Sequence, residues 1–246
     1  MTEHAILKEI QSGKISPLYL FFGSEEYLIK DTLNQAIEIL VDPSSKDFNF
    51  NIYHAEVSSP SDILDTARTL PFMTKHRVII IKRIDAAKQT FMENRQLLNY
   101  LESPYKETCI IFTAREIDQR KKFFKSISKT GKTVHFKKLK TSQTEKWIME
   151  RSKANGYRID SSASEYLADA FNNNLKRINT ELEKIFLYIG KKNQLIRIQF
   201  SWLQEILKSS LFLILPNQLG KRVLTILSVK WKICCPMALC LFRPSG

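Results

Sequence analysis

Apolar and polar positions follow two rhythms along this chain. Up to about residue 140, short apolar runs alternate with segments of helical spacing; beyond it, only helical spacing continues. Leu18-Tyr19-Leu20-Phe21-Phe22, closed by Gly23-Ser24, has the pattern of a buried strand and its turn. Ser24 is placed to cap a following helix. The first turn of that helix carries Glu25 and Glu26, where the helix dipole favours acids, and Leu28, Ile29, Leu33, Ala36, Ile37 and Leu40 recur along it. A strand is expected at Phe50–His54, and a helix from Ser59-Pro60-Ser61-Asp62 to about Thr69. Arg77-Val78-Ile79-Ile80-Ile81-Lys82 is rich in β-branched residues and predicts a strand covered on both faces. A polar helix near Phe91–Leu101, a strand over Thr108–Thr113, a helix over Asp118–Ser128 and a strand from Lys132 to Leu139 complete the alternation. Strands separated by helices predict an α/β fold, with a mainly parallel sheet carrying helices on both faces.

The second rhythm predicts three helices, Thr141–Asn155, Ser161–Phe171 and Leu175–Ile189, with no strand between them. Gly156 and Gly190 stand where helix C-caps are expected, and Ser161 and Ser162 are candidate N-caps. The expected division is an α/β domain over residues 1–140 and a small helical domain over residues 141–195.

Composition refines this picture. With 43% hydrophobic and 26% charged residues in 246, the chain has the profile of a globular protein long enough to bury a core. No apolar run reaches 18 residues and the first residues lack an apolar stretch, so neither a membrane span nor secretion is expected. Cys109 lies in an apolar run and reads as a small core residue, while Cys234, Cys235 and Cys240 crowd the far end. No paired CxxC and no spaced His accompany them, which argues against a zinc site or disulfide framework and for a reducing compartment, the cytoplasm. His4, His54, His76 and His135 are scattered, and His54 and His135 fall in strand patterns as core or edge residues. No metal, no cofactor and no catalytic constellation is expected.

The strand–Gly23–helix junction is where a nucleotide-binding α/β protein carries its phosphate loop. That loop needs G-x-x-x-x-G-K-[ST], so that backbone N–H groups approach the phosphates while Lys and Ser/Thr supply charge and a magnesium ligand. Here the run is Gly23-Ser24-Glu25-Glu26-Tyr27-Leu28-Ile29-Lys30-Asp31, without a second glycine or a Lys-Ser/Thr pair. Two carboxylates stand where phosphate oxygens would come. At close range such repulsion costs about 1 kcal/mol per pair in water and several times more when partly desolvated.

Four segments, in order, resemble the delta subunit of the bacterial DNA polymerase III clamp loader. They are Pro17–Leu28, then Leu70-Pro71-Phe72-Met73 with Arg77–Lys82, then Asp118–Lys122 with Val134-His135-Phe136, and finally Arg177–Ile185; together the resemblance covers about residues 1–195. It implies an AAA+-like first domain without ATPase function, a helical lid, and then a helical collar. It also implies that the subunit grips the ring-shaped sliding clamp (beta) and helps open it, while ATP is bound by other subunits. The implied partners are that clamp, the gamma/tau and delta-prime subunits, and primed DNA reached through the complex. The implied place is the cytoplasm, on the nucleoid through the replisome. Leu70, Phe72 and Met73 match the family's clamp-contacting apolar tip. Read without the resemblance, Leu70 and Phe72 would instead cap the local core. Arg120, Lys121, Lys122 and Lys125, with Lys129 and Lys132, form a basic cluster that is either a solvated face or a DNA- or subunit-facing surface. Two other readings stay open: a P-loop-type NTPase with an atypical site, and a basic nucleic-acid-binding module.

Net charge is +13, but the distribution is uneven. After Glu205 there are six Lys/Arg and no Asp or Glu, helical periodicity is poor, and three of the four cysteines fall there. From about Arg197 the sequence departs from the acidic, amphipathic pattern the resemblance implies. Residues 196–246 are therefore expected to be a frameshifted or truncated segment in which the collar is missing or scrambled.

Overall fold

The computed structural model describes residues 3–190 and 196–198. Its first elements are α1 (Glu3–Gln11), β1 (Leu18–Phe22), α2 (Glu26–Leu40), α3 (Lys46–Asn49), β2 (Phe50–His54) and α4 (Pro60–Arg68). Then come β3 (Arg77–Lys82), α5 (Gln89–Met92), α6 (Arg95–Glu102), β4 (Thr108–Ala114), α7 (Lys122–Thr130) and β5 (Lys132–His135). These strands form one five-stranded sheet in the order β2-β3-β4-β1-β5, every neighbouring pair parallel. The apolar runs are the inner strands: all positions of β1 and β4, and the first five of β3, are buried. Parallel strands covered on both faces need such runs.

Alternation divides those side chains between two layers. Leu18, Leu20, Phe22, Ile79, Ile81, Ile110 and Phe112 meet Ile63, Leu64 and Ala67 of α4, Phe91 of α5, Leu97 and Leu101 of α6, and Phe123 and Ile127 of α7. The intervening Tyr19, Phe21, Ile80, Cys109 and Ile111 are also fully buried. Helices α1 and α2, which pack on each other, contribute nothing to the first layer. Burying a Leu, Ile or Phe side chain contributes about 1.5–3 kcal/mol, so the sheet's inner strands are the main source of this unit's stability.

Several local expectations are corrected. The N-cap of α2 is Glu25, which makes no side-chain capping bond, and Ser24 lies one residue too early to cap. The polar helix near Phe91–Leu101 is two helices, because Asn94 accepts from the Leu97 N–H (3.0 Å) and starts α6 anew. Helix α7 begins at Lys122 rather than Asp118, since the Asp118 carboxylate accepts from the Arg120 N–H (2.9 Å) and stabilises a turn there. Strand β5 stops at His135, four residues before Leu139. Helices α1 and α3 were not anticipated. Both are short, and neither carries a strong cap signal.

The described residues divide into two compact units, the second starting at Lys140. It holds α8 (Thr141–Ala154), β6 (Tyr157–Ile159), α9 (Ser161–Ala170), α10 (Leu175–Ile189) and β7 (Ile196–Ile198). The three helices stand where helical spacing places them, but the expectation of no strand between them is overturned. Tyr157–Ile159 pairs in parallel with Ile196–Ile198. Three residues are too short a run for period-two alternation to register. Asp160, not Ser161 or Ser162, caps α9 by accepting from the Ala163 N–H (2.8 Å). Gly156 follows α8 with φ +84°, the left-handed conformation expected after a helix end. The expectation for residues 196–246 falls, apart from β7, outside the described residues.

Candidate functional site

Helix α4 ends at Arg68, three residues before Pro71, because the residue preceding proline is disfavoured in helical geometry. One of its last carbonyls is taken up by the sheet: the Thr108 hydroxyl donates to Ala67 O (2.8 Å). The chain then turns through Leu70-Pro71-Phe72-Met73 before entering β3. Leu70 is 72% exposed, Phe72 51% and Met73 87%. The structure thus brings the three sequence-predicted residues together on one exposed turn, and the core-capping alternative does not describe them.

The turn's backbone is held from beneath by two residues that sequence reasoning missed. Asn49, at the end of α3, reads Phe72 as a strand partner would. The Phe72 N–H donates to Asn49 Oδ1 (2.7 Å), and Asn49 Nδ2 donates to Phe72 O (2.7 Å). Arg77, at the start of β3, is 8% exposed. Its Nε donates to Thr69 O (3.1 Å), its Nη1 to Phe48 O (2.7 Å) and Asn51 Oδ1 (3.3 Å), and its Nη2 to Leu70 O (3.3 Å). One guanidinium therefore ties the end of α4, the turn and the α3–β2 junction together. Phe48, also missed, is 60% exposed and its ring lies 5.2 Å from that of Phe72. Met73 has φ +56°, an uncommon conformation for a side chain of its size. No sequence signal marks Asn49 or Phe48, which lie more than twenty positions from Phe72; Arg77 was visible only as a strand residue.

The junction after β1 has a different character. The Gly23 N–H donates to Ala114 O (3.2 Å) and the Glu25 N–H to Phe136 O (3.1 Å), while the Phe136 N–H donates to Phe22 O (2.7 Å). Two backbone donors at the position of a phosphate loop are therefore committed to neighbouring strand ends. Gly23 has φ +141°, and a Cβ there would sit 2.0 Å from Phe136 O. Glu26 is ion-paired with Arg115. Burial raises the Glu25 carboxyl above its ordinary value, an effect partly opposed by a hydrogen bond from the Tyr27 backbone and by Lys138.

The basic residues around α7 are spread out. Arg120, Lys122, Lys125 and Lys129 are exposed and Lys121 is half-buried at the N-cap. Lys122 pairs with Glu102 (3.1 Å) and Lys132 with Glu9. Phe123 and Ile127 face the core and Phe124 packs against it, so the helix is amphipathic with its cations outward. His54 and His135 lie on the two edge strands, and His135 stacks on Phe22 with ring centroids 4.6 Å apart.

Comparison with known proteins places this geometry. A family model described as DNA polymerase III, delta subunit, matches residues 19–137. The chain is 27% identical over 198 residues to the DNA polymerase III subunit delta of Bacillus subtilis, covering 77% of this chain and 57% of that protein. It superposes on the solved Bacillus subtilis DNA clamp loader delta protein with a TM-score of 0.66 at 24% identity, covering 83% of this chain and 62% of that one. A Thermotoga maritima RuvB variant shares the fold at a TM-score of 0.51 and 12% identity, over 84% of this chain and 66% of that one. The chain thus spans less than two thirds of the length of its Bacillus relatives. The fold is AAA+-like, and residues 19–137, which hold both the exposed turn and the occupied Gly23 junction, are similar to the family described as DNA polymerase III, delta subunit.

Proposed function

We propose that this chain acts as a clamp-loader subunit that docks on the ring-shaped sliding clamp through Leu70, Phe72 and Met73 and helps open the ring for loading onto primed DNA. The observation that carries this reading is an apolar turn that is exposed and yet held in place. Three large apolar side chains within four positions face solvent while Asn49 and Arg77 fix the backbone beneath them. A solvent-exposed apolar cluster on a preorganised backbone loses little conformational entropy on docking, and such anchors carry about 2 kcal/mol or more each in an interface.

In this reading residues 1–140 form the clamp-docking AAA+-like domain and residues 141–195 the lid. No catalytic step and no cofactor belongs to the chain itself. ATP is handled by gamma/tau-type partners in an assembly that also holds delta prime, in the cytoplasm at the nucleoid. The commitment of the Gly23 and Glu25 N–H groups to strand ends supports that division of labour. Arg120, Lys121, Lys122 and Lys125 would face DNA or a neighbouring subunit. The exposed positions of Arg120 and Lys125 suit that role, and DNA binding through them would weaken steeply with salt.

Size-exclusion chromatography of the purified chain mixed with a purified bacterial sliding clamp tests the proposal. Comigration at micromolar concentration is the expected result. Separate elution at tens of micromolar, with both proteins folded, would reject it.

A further inference from the structure

The exposed turn does not stand alone. Phe48 is 60% exposed, its ring lies 5.2 Å from that of Phe72, and the next residue, Asn49, is buried and makes both hydrogen bonds to the Phe72 backbone. Arg77 Nη1 donates to Phe48 O and Nη2 to Leu70 O, so one side chain anchors both segments. Two pieces of chain more than twenty residues apart thus present one apolar surface whose halves are fixed to each other by hydrogen bonds.

We propose that the docking surface is composite: Phe48 is a partner-contacting residue alongside Leu70, Phe72 and Met73, and Asn49 is a positioning residue that holds the two halves in the docking arrangement. The inference rests on the reading of the turn as the clamp-docking site and deepens it. Its physical basis is the geometry of the pair. A Phe72 ring released from Asn49 would sample several orientations, and only the fraction with Phe48 and Phe72 side by side would match an apolar pocket. Apparent affinity falls in proportion to that fraction. With its ring 5.2 Å from that of Phe72, Phe48 lies within contact range of a surface that receives the Phe72 ring. A solvent-exposed phenyl ring at the edge of an apolar contact is also a feature that a purely structural role does not require.

The test uses the full chain and a purified bacterial sliding clamp. Equilibrium dissociation constants are measured for Phe48→Ala, Asn49→Ala and a Leu70→Ala/Phe72→Ala control, with hydrogen exchange at the Phe72 amide followed in the free chain. Phe48→Ala is expected to weaken binding about tenfold with unchanged thermal stability. Asn49→Ala is expected to weaken binding about fivefold and to speed exchange at the Phe72 amide in the free chain. If Asn49→Ala fails to fold, Phe48→Ala at its exposed position still decides the contact. Clamp binding lost in the control but unchanged in both single variants would overturn the composite surface alone. Unchanged binding in the control would overturn the docking turn itself.

Discussion

Gly23 and Phe136 touch backbone to backbone: a Cβ on Gly23 would lie 2.0 Å from the Phe136 carbonyl oxygen, with the Phe136 carbon and nitrogen also inside 3.0 Å. Phe136 bonds in turn to Phe22 O and accepts from the Glu25 N–H. The turn after β1 is thereby closed onto the end of β5, and no side chain fits between them.

Gly23→Ala should therefore cost about 3 kcal/mol or more, since it combines a steric clash with a backbone angle that L-residues rarely adopt. Chemical denaturation of the variant against the parent chain measures this. A loss below about 0.5 kcal/mol would mean that the turn has room to relax.

Arg77 is the second structural keystone. Removing its side chain leaves Phe48 O, Thr69 O and Leu70 O without that donor in a largely buried setting. Arg77→Ala is expected to destabilise the chain by about 2–4 kcal/mol, and Arg77→Lys by nearly as much, because an ammonium cannot span three carbonyls as the guanidinium fork does. Thermal and urea unfolding of the two variants decide this, and full rescue by lysine would contradict it.

How much of this was legible in the sequence depends on whether a feature is local. The inner strands announced themselves because burial on both faces forces continuous apolar runs, as in Leu18–Phe22 and Val78–Ile81. The exposed turn could be marked at Leu70, Phe72 and Met73 only through resemblance to a family, because an apolar residue after a helix reads equally as core. Asn49 and Phe48 were out of reach, since what makes them matter is proximity to Phe72, and no local pattern encodes a contact across that much chain. The same holds for Glu26, whose pairing with Arg115 replaces the simple repulsion its position suggested. Strands β6 and β7 escaped because three residues carry too little alternation to be seen.

Cys109 sits in β4 with no exposed surface, and burial pushes its thiol up to about 12. Since the thiolate is the reactive form, Cys109 should resist alkylation in the native chain at pH 8 and react only after denaturation. Peptide mapping after iodoacetamide treatment checks this. Rapid native labelling of Cys109 would show that β4 opens locally.

Glu25 holds its proton more tightly in the folded chain than its ordinary value of 4.5, because burial disfavours the charged form. A raised carboxyl pKa means that the folded state binds more protons than the unfolded one in this range. Its contribution to stability therefore worsens as pH rises through the folded value, and the penalty is absent below the unfolded value. Glu25→Gln should raise the melting temperature at pH 7, with the difference shrinking toward pH 4. A constant difference across that range would assign the effect to packing rather than charge.

The exposed turn carries the proposed clamp contact. Its most direct measurement is the dissociation constant of the chain for a bacterial sliding clamp, compared with that of a Leu70→Ala/Phe72→Ala variant, alongside both melting temperatures. Loss of two interface anchors predicts affinity weakened at least about 100-fold, with the melting temperature unchanged within about 2 °C. Equal affinity in the two chains, or a fall in melting temperature large enough to account for the lost binding, would contradict a docking role for Leu70 and Phe72.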